Sequence, residues 1–144
     1  NTLLQGAINS DNNDFKFNFN SPKITAFENN LHKINIRVDN KNPLYNAYVS
    51  IDSLQTKNYK ISDFSVINVI QNDTLFVRSE FKGGNKADDF YKLNVFHTIN
   101  KENKNVVGIQ KSEIKFKDVL WKVSELVFIK GNRINIGAGM WRQT

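Results

Sequence analysis

The sequence contains no cysteine, only two prolines and only two histidines among its 144 residues. Without cysteine there is no disulfide framework, no thiolate zinc or iron–sulfur site, and no cysteine nucleophile. A chain without disulfides is compatible with the cytoplasm, the periplasm or the cell surface, because only the presence of disulfides points to an oxidising compartment. The absence of cysteine therefore excludes several kinds of chemistry but no compartment.

Long apolar runs and low-complexity linkers are also missing. The uncharged stretches, such as residues 64–72, are all much shorter than the roughly 18 apolar residues of a transmembrane helix. No signal peptide is visible and the first residue is Asn1, which predicts a processed product, an excised domain or an incomplete chain. No segment rich in proline, glycine or serine divides the chain, so residues 1–144 are predicted to form a single all-β segment.

The formal net charge of +6 does not by itself indicate a nucleic-acid-binding protein. Lysine outnumbers arginine by 16 to 4 and asparagine occurs 22 times, a bias that an AT-rich genome explains. Nucleic-acid binding usually requires clustered lysine and arginine with aromatic residues among them. The lysines of this chain are scattered between apolar residues, so we predict no nucleic-acid partner.

Apolar and polar residues alternate through the whole chain, which is the period of a half-buried β-strand. The alternating runs are Phe15–Phe19, Ile34–Val38, Ala47–Ile51, Phe64–Val69, Leu75–Phe81, Tyr91–Val95, Ile114–Phe116, Trp121–Val123 and Ile134–Ile136. No 11-residue window shows the i, i+3, i+4, i+7 stripe of an amphipathic helix. The pattern predicts an all-β fold of about eight to ten strands, with helix in less than about one-tenth of the residues.

Turn-forming clusters separate these runs, at residues 10–14, 39–43, 71–73, 83–86 and 100–105. The pair Gly83-Gly84 is the sharpest, because glycine tolerates positive φ. Strands with one apolar and one polar face fit a curved, elongated antiparallel sheet whose apolar face lines a groove. They fit equally well a β-sandwich that buries this face against a second sheet, since both folds require the same alternation.

The sequence contains no evident catalytic or metal-binding constellation. His32 and His97 are 65 residues apart, and neither has a second ligand at metal-binding spacing. Asp88 and Asp89 could contribute to a calcium loop, but too few oxygen ligands accompany them, and a solvated turn is the simpler interpretation. There is no Gly-x-Ser-x-Gly elbow and no phosphate loop, so we expect neither an enzyme nor a cofactor.

One stretch of the chain is distinctive. Residues 75–84 (LFVRSEFKGG), followed by residues 90–94 (FYKLN), resemble the TamB family. The resemblance is closest to the long TamB proteins of Bacteroidota, which have the translocation and assembly module domain. Further segments that fit the same pattern are residues 24–31, 42–47, 105–109 and 114–121. The resemblance thus covers roughly residues 1–123, whereas the tail at 127–144 departs from it.

The resemblance implies a rolled, taco-shaped β-sheet with an apolar groove. TamB proteins are very long, are anchored in the inner membrane and cross the periplasm. They are related to the AsmA-like and bridge-like lipid transfer proteins, which are implicated in moving phospholipid to the outer membrane, and they work with an outer-membrane barrel-assembly protein of the TamA/BamA type. The chain would then be a fragment of such a protein, located in the periplasm, in contact with phospholipid acyl chains and without catalytic residues.

Eleven apolar residues of the predicted strands are candidates for the lining of such a groove: Ile34, Ile36, Val38, Val49, Phe64, Val66, Leu75, Val77, Phe81, Leu93 and Val95. An alternative function is that of a closed β-sandwich in a cell-envelope protein, which binds a glycan or a partner protein. A third is a chaperone for nascent barrel proteins that acts through an exposed strand edge. The first two differ in whether the apolar faces meet each other or line an open trough.

Overall fold

In the computed structural model, which describes residues 1–123, 127–130 and 141–143, every regular element is a β-strand. The strands are β1 (Leu3–Asn9), β2 (Asp14–Ala26), β3 (Asn29–Asp39), β4 (Ala47–Gln55), β5 (Lys60–Gln71), β6 (Thr74–Gly83), β7 (Asp89–Ile99), β8 (Asn105–Ile109), β9 (Ser112–Phe116), β10 (Val119–Val123), β11 (Val127–Lys130) and β12 (Trp141–Gln143). The prediction of an all-β fold is confirmed. Within these residues there is no helix of the length and hydrophobicity that a membrane crossing requires.

All twelve strands belong to one antiparallel sheet, and from β1 to β7 their order in the sheet follows the chain, whereas β11 pairs with β8. Each strand from β1 to β7 pairs with the next, and the path continues through β9 and β10 to β12. Strands β8 and β9 both pair with β7, along its C-terminal and N-terminal parts respectively. The described strands form an open meander without a second sheet, so the alternative prediction of a β-sandwich is wrong.

A bulge separates β8 from β9 along the edge of β7. Between the flanking pairs, two residues of β7 face three residues of the other strand. Asn94 of β7 occupies this place: its backbone N–H donates to Ser112 Oγ at 3.0 Å and its side-chain amide donates to the carbonyl of Lys111 at 2.6 Å. Its own carbonyl accepts a hydrogen bond from the N–H of Gln110 at 2.8 Å. The groups freed by the broken ladder are thus satisfied, and Ser112 is fully buried.

Three hairpins close with two-residue turns in which both residues have positive φ. These turns are Phe27-Glu28, Asn72-Asp73 and Lys117-Asp118. Positive φ at both positions is typical of the type I′ turn, whose twist matches the twist of the paired strands. Only the second of the three turns was predicted, because the other two lack the asparagine or glycine that usually marks this geometry.

The ladder is also interrupted along a line that crosses β3, β4 and β5. Lys33 and Asp63 have φ values of 49° and 52° in the middle of their strands. Asp52 lies between them on β4, and its carboxylate forms an ion pair with the ammonium group of Lys33 at 3.5 Å. From β2 to β5, pairing resumes in the same register on both sides of this line. Between β5 and β6 the register shifts by one residue between Ser62 and Ser65, so the bulge at Asp63 changes which residues of β5 share a face with those of β6.

A single layer leaves much of the chain in contact with solvent. The accessible surface is 10378 Å², whereas a compact monomer of this mass exposes about 7,600 Å². Among the described residues only two apolar side chains are buried, Ile34 at 6% exposure and Val123 at 2%. The other apolar strand residues are half-buried or exposed, because no second layer of described residues covers them.

Candidate functional site

One face of the sheet carries all eleven residues that the sequence identified. Paired residues of an antiparallel ladder point to the same side, and Ile36, Val49 and Val66 are successive partners across β3, β4 and β5. Val77 and Val95 are partners in β6 and β7. The same registers place Ile34, Val38, Phe64, Leu75, Phe81 and Leu93 on this side. We call the surface formed by these eleven residues the apolar face.

The apolar face continues beyond the predicted residues in both directions along the sheet. Toward β1 it is extended by Leu4, Ile8, Phe15, Phe17 and Phe19. Toward β10 it is extended by Tyr91, Ile109, Ile114 and Trp121. The alternation in the sequence predicted strands at Phe15–Phe19, Tyr91, Ile114 and Trp121 but not at Leu4, Ile8 or Ile109. Only the pairing of neighbouring strands shows that all of these residues share a face with the other eleven.

A row of rings crosses the apolar face at one level. The ring centroids of Phe64 and Phe81 are 6.0 Å apart, and those of Phe81 and Tyr91 are 4.4 Å apart in a stacked arrangement. The row continues through Ile114 to Trp121 by ladder pairing. It forms a broad apolar surface over five strands.

The end of this row near β10 is concave. A depression of about 580 Å³ is lined by Tyr91, Ile114, Phe116 and Trp121. Phe116 is 41% exposed and Trp121 is 36% exposed, although both are large apolar side chains. Because burial of apolar surface contributes about 25 cal/mol per Å², this region favours contact with an apolar ligand over contact with water.

Two polar side chains, Asn68 and Ser79, interrupt the apolar face near its centre. Asn68 of β5 lies between Ala47 of β4 and Val77 of β6, and its side-chain oxygen is buried and accepts no hydrogen bond from the described residues. An unpaired buried acceptor costs about 1–3 kcal/mol. The oxygen is shielded from solvent, so it lowers the stability of the sheet and offers no accessible contact to a ligand.

One end of the apolar face is closed by Tyr59, from the loop between β4 and β5. The hydroxyl group of Tyr59 donates to Asp89 Oδ2 at 3.1 Å and lies 3.2 Å from the hydroxyl oxygen of Tyr91. Asp89 is 8% exposed, and its Oδ1 accepts the backbone N–H of Lys117 at 2.9 Å. This carboxylate thus joins three loops at the same end of the sheet.

The environment of Tyr59 also changes its acidity. Burial, together with the hydrogen bonds to Tyr91 and Asp89, raises the pKa of Tyr59 well above its ordinary value of 10.0. Gly83 lies beneath the ring, and a methyl group at this position would overlap the Tyr59 hydroxyl. Gly83 is therefore required for close approach, while the positive φ that we predicted for this glycine pair occurs at Gly84.

The opposite face of the sheet is not uniformly polar, contrary to the simple alternation. Phe76 and Phe96 lie there with ring centroids 6.4 Å apart, and a side chain at Gly108 would overlap the Phe96 ring. Leu44, from the loop between β3 and β4, and Val69 line a cavity of about 360 Å³ together with Phe76. The sequence could not reveal this cluster, since its members come from strands whose pairing was unknown.

The titratable residues singled out in the sequence do not assemble into a site. His32 lies within β3 and His97 within β7, where His97 Nε2 is 3.1 Å from Asn105 Oδ1. Asp88 is exposed beside the buried Asp89. The described part of the chain contains no group of three or more acidic, histidine or cysteine residues that could hold a metal ion. The predicted strand at residues 134–136 lies outside the described residues.

Comparison with known proteins adds no homologue to these observations. A scan against protein-family models, a search of curated proteins and a search of solved structures each found no significant match to this chain. The resemblance of residues 75–94 to TamB thus stays a prediction.

Proposed function

We propose that this chain is a segment of a lipid conduit and that its apolar face binds the acyl chains of phospholipids. The observation that supports the proposal is the continuity of the apolar face from β1 to β10 without a covering layer among the described strands. A closed core would have buried these side chains, whereas most of them are half-buried or exposed.

The dimensions of the sheet suit an extended acyl chain. Neighbouring strands lie about 4.8 Å apart, so a fully extended C16 chain of about 20 Å crosses about four of them. Rows such as Ile36, Val49 and Val66 run in this direction, at right angles to the strands. Each methylene group removed from water contributes about 0.8 kcal/mol, and the shallow surface offers many equivalent positions along the sheet. Such a surface favours sliding of the acyl chain along the sheet rather than tight binding at one position.

The setting that we propose rests on the TamB resemblance of residues 75–94. In this setting the segment lies in the periplasm, within a protein anchored in the inner membrane, and phospholipid passes between the inner and outer membranes. The protein works with an outer-membrane barrel-assembly protein of the TamA/BamA type and supports outer-membrane protein assembly. The apolar face is compatible with this role because acyl chains need a continuous path shielded from water on at least one side.

The test places one negative charge on each face of the sheet. Val77→Asp introduces a carboxylate on the apolar face, and Ser50→Asp introduces the same charge on the opposite face of β4. An acidic group among acyl chains costs several kcal/mol, but water reaches it when the face is empty. We therefore expect Val77→Asp to melt within about 2 °C of the original protein and to lose the phospholipid that native mass spectrometry detects with the purified domain.

The control Ser50→Asp is expected to keep its phospholipid. In the full-length protein, Val77→Asp should fail to restore outer-membrane integrity to a strain that lacks this protein, whereas Ser50→Asp should restore it. A folded Val77→Asp variant that retains phospholipid, or an original domain that carries none, contradicts the proposal and leaves an interaction domain as the better explanation.

A further inference from the structure

The cavity on the opposite face of the sheet combines an apolar lining with one cationic group. Its volume of about 360 Å³ lies within the range of ligand-binding clefts, about 300–1,000 Å³. The half-buried side chains of Ile67, Val69 and Phe76 line it together with Leu44. Among the described residues of this lining, Arg78 alone is charged. A few polar groups in an apolar lining are typical of a site for a small molecule.

Hydrogen bonds hold the loop that carries Leu44 against β5. The N–H of Asn46 donates to the carbonyl of Asn68 at 2.8 Å, and its side-chain oxygen accepts the N–H of Ile70 at 2.7 Å. The N–H of Leu44 itself donates to Asn42 Oδ1 at 2.9 Å. Because Leu44 is nonetheless 76% exposed, much of its side chain is accessible to a ligand. The cavity is thus formed before a ligand enters, which lowers the entropic cost of binding.

The guanidinium group of Arg78 is oriented by one neighbour and has donors to spare. Its Nε–H donates to Asn94 Oδ1 at 3.2 Å, and Asn94 is fixed in turn by the hydrogen bonds of the bulge beside β7. No carboxylate of the described residues forms an ion pair with Arg78: Glu80, two residues further along the same face of β6, pairs with Lys92 at 3.6 Å. The terminal nitrogens Nη1 and Nη2 of Arg78 are therefore available, in the geometry that binds both oxygens of a carboxylate.

We propose that this cavity binds a single-chain carboxylate of the medium-chain fatty acid class, with its carboxylate on Arg78 and its alkyl chain on Val69 and Phe76. The pairing of β5 with β6 gives the length of the site. Arg78 pairs with Ile67, and Gln71, at the other end of the lining, lies four residues further along β5. This separation is about 13 Å along the strand. An extended acid of about ten carbons has nearly this length, and each methylene group that it buries favours binding.

Charge and size favour this occupant over a phospholipid. One guanidinium group without an acidic partner complements one anionic group, and the apolar lining complements one alkyl chain. A diacyl phospholipid has two long chains and a glycerophosphate headgroup, and it is several times larger than the cavity. The proposal does not depend on lipid binding to the apolar face, because Phe76 and Arg78 point to the opposite side of β6 from Val77.

Isothermal titration calorimetry of the purified chain with decanoate tests the site. We expect a dissociation constant between about 0.01 and 1 mM, as suits a ligand of this size. Decanol has the same chain without the carboxylate, and acetate has the carboxylate without the chain. Each should bind at least about tenfold more weakly than decanoate. No binding of decanoate, or equal binding of decanol, overturns the proposal.

Two arginine variants separate the cavity from the overall charge of the chain. Arg78→Gln should raise the dissociation constant of decanoate at least about tenfold. Arg37→Gln is the matched control, because Arg37 is also exposed and lies in the same row of the same face, three strands away and outside the cavity lining. It should leave the dissociation constant within about twofold, and both variants should keep the melting temperature of the original chain. An equal loss in the two variants, or no loss in Arg78→Gln, overturns the proposal.

The carboxyl carbon of the ligand reports its position. When decanoate labelled with ¹³C at this carbon is titrated by NMR, the pKa of the bound acid should lie below that of the free acid, because a neighbouring guanidinium group favours the ionised form. Arg78→Gln should abolish this lowering of the pKa. Leu44→Ser, which removes apolar surface but no charge, should weaken binding and keep the lowered pKa. If the bound and free acids had the same pKa in the original chain, the carboxylate would not lie at Arg78 and the proposal would be wrong.

Discussion

Two glycines show how the sheet accommodates large rings in spite of its single layer. Tyr59 lies against Gly83 at the end of the apolar face, and Phe96 lies against Gly108 on the opposite face. In both places the ring occupies the space that a side chain would fill. The glycines are thus selected for close approach rather than for an unusual backbone conformation.

Gly83→Ala and Gly108→Ala should each destabilise the fold. The added methyl group would overlap the hydroxyl of Tyr59 in the first variant and the ring of Phe96 in the second. Such overpacking costs about 1–3 kcal/mol, which corresponds to a fall in melting temperature of about 3–9 °C. Gly6→Ala is the control, because a methyl group there meets only the Lys16 carbonyl at 3.9 Å. Similar melting temperatures for all three variants would contradict this packing.

The hydrogen-bonded hydroxyl of Tyr59 makes stability depend on alkaline pH. Its pKa in the folded chain is raised above 10.0, so folding favours the protonated form. The resulting stability is fully present below about pH 10 and is lost as the pH rises through the raised pKa. We expect the melting temperature of the original chain to fall more steeply between pH 9 and 11 than that of Tyr59→Phe. The original chain and Tyr59→Phe contain the same lysines, whose titration affects both equally. Parallel curves of melting temperature against pH would therefore show that Tyr59 does not cause the loss of stability.

At the scale of strands and turns, alternation proved a reliable guide to which residues share a face. Val77 and Val95 could be placed together from sequence because period two is strict within a regular strand and pairing preserves it across strands. The bulge between Ser62 and Ser65 of β5, where this period breaks, was not predicted. Irregular backbone was not foreseeable. Lys33 adopts positive φ without being glycine or asparagine, and the bulge beside Asn94 depends on hydrogen bonds from residues 16 to 18 positions away in the chain. Such features depend on tertiary contacts and leave little trace in local composition.

The turn at Phe27-Glu28 is an element in which sequence and conformation disagree. Both residues have positive φ, which is unfavourable for side chains of this kind. Replacing them together by Phe27→Asn and Glu28→Gly supplies the residues that a type I′ turn prefers. We expect a gain of about 1–2 kcal/mol in the free energy of unfolding by urea.

The control for this change is Asp73→Gly. It introduces glycine into a turn that already contains Asn72, so its effect should be smaller. If the double variant were less stable than the original chain, the exposed Phe27 ring would have to make a stabilising contact.

At the scale of the whole molecule, the surplus of accessible surface distinguishes this chain from a compact domain. The difference between 10378 Å² and the surface of a compact monomer is roughly 2,800 Å². A specific protein–protein interface buries about 1,600 Å² in total. The sheet therefore leaves enough surface for a bound apolar ligand.

Small-angle X-ray scattering checks this extended form in solution. A compact chain of 144 residues has a radius of gyration of about 14.5 Å. We expect a clearly larger value for the chain, measured at a concentration at which sedimentation equilibrium shows a monomer. A value at or below the compact limit would mean that the sheet closes on itself in solution.

The sequential order of the strands has a consequence for how such a protein can evolve. Each strand from β1 to β7 contacts mainly its neighbours in the chain, so the duplication or loss of a whole hairpin leaves all other pairings intact. Paired residues of neighbouring strands point to the same side of the sheet. An inserted hairpin with the same alternation of apolar and polar residues therefore adds its apolar residues to the apolar face. Length is thus a freely variable property of this architecture, and natural selection can match it to a distance without redesigning a core.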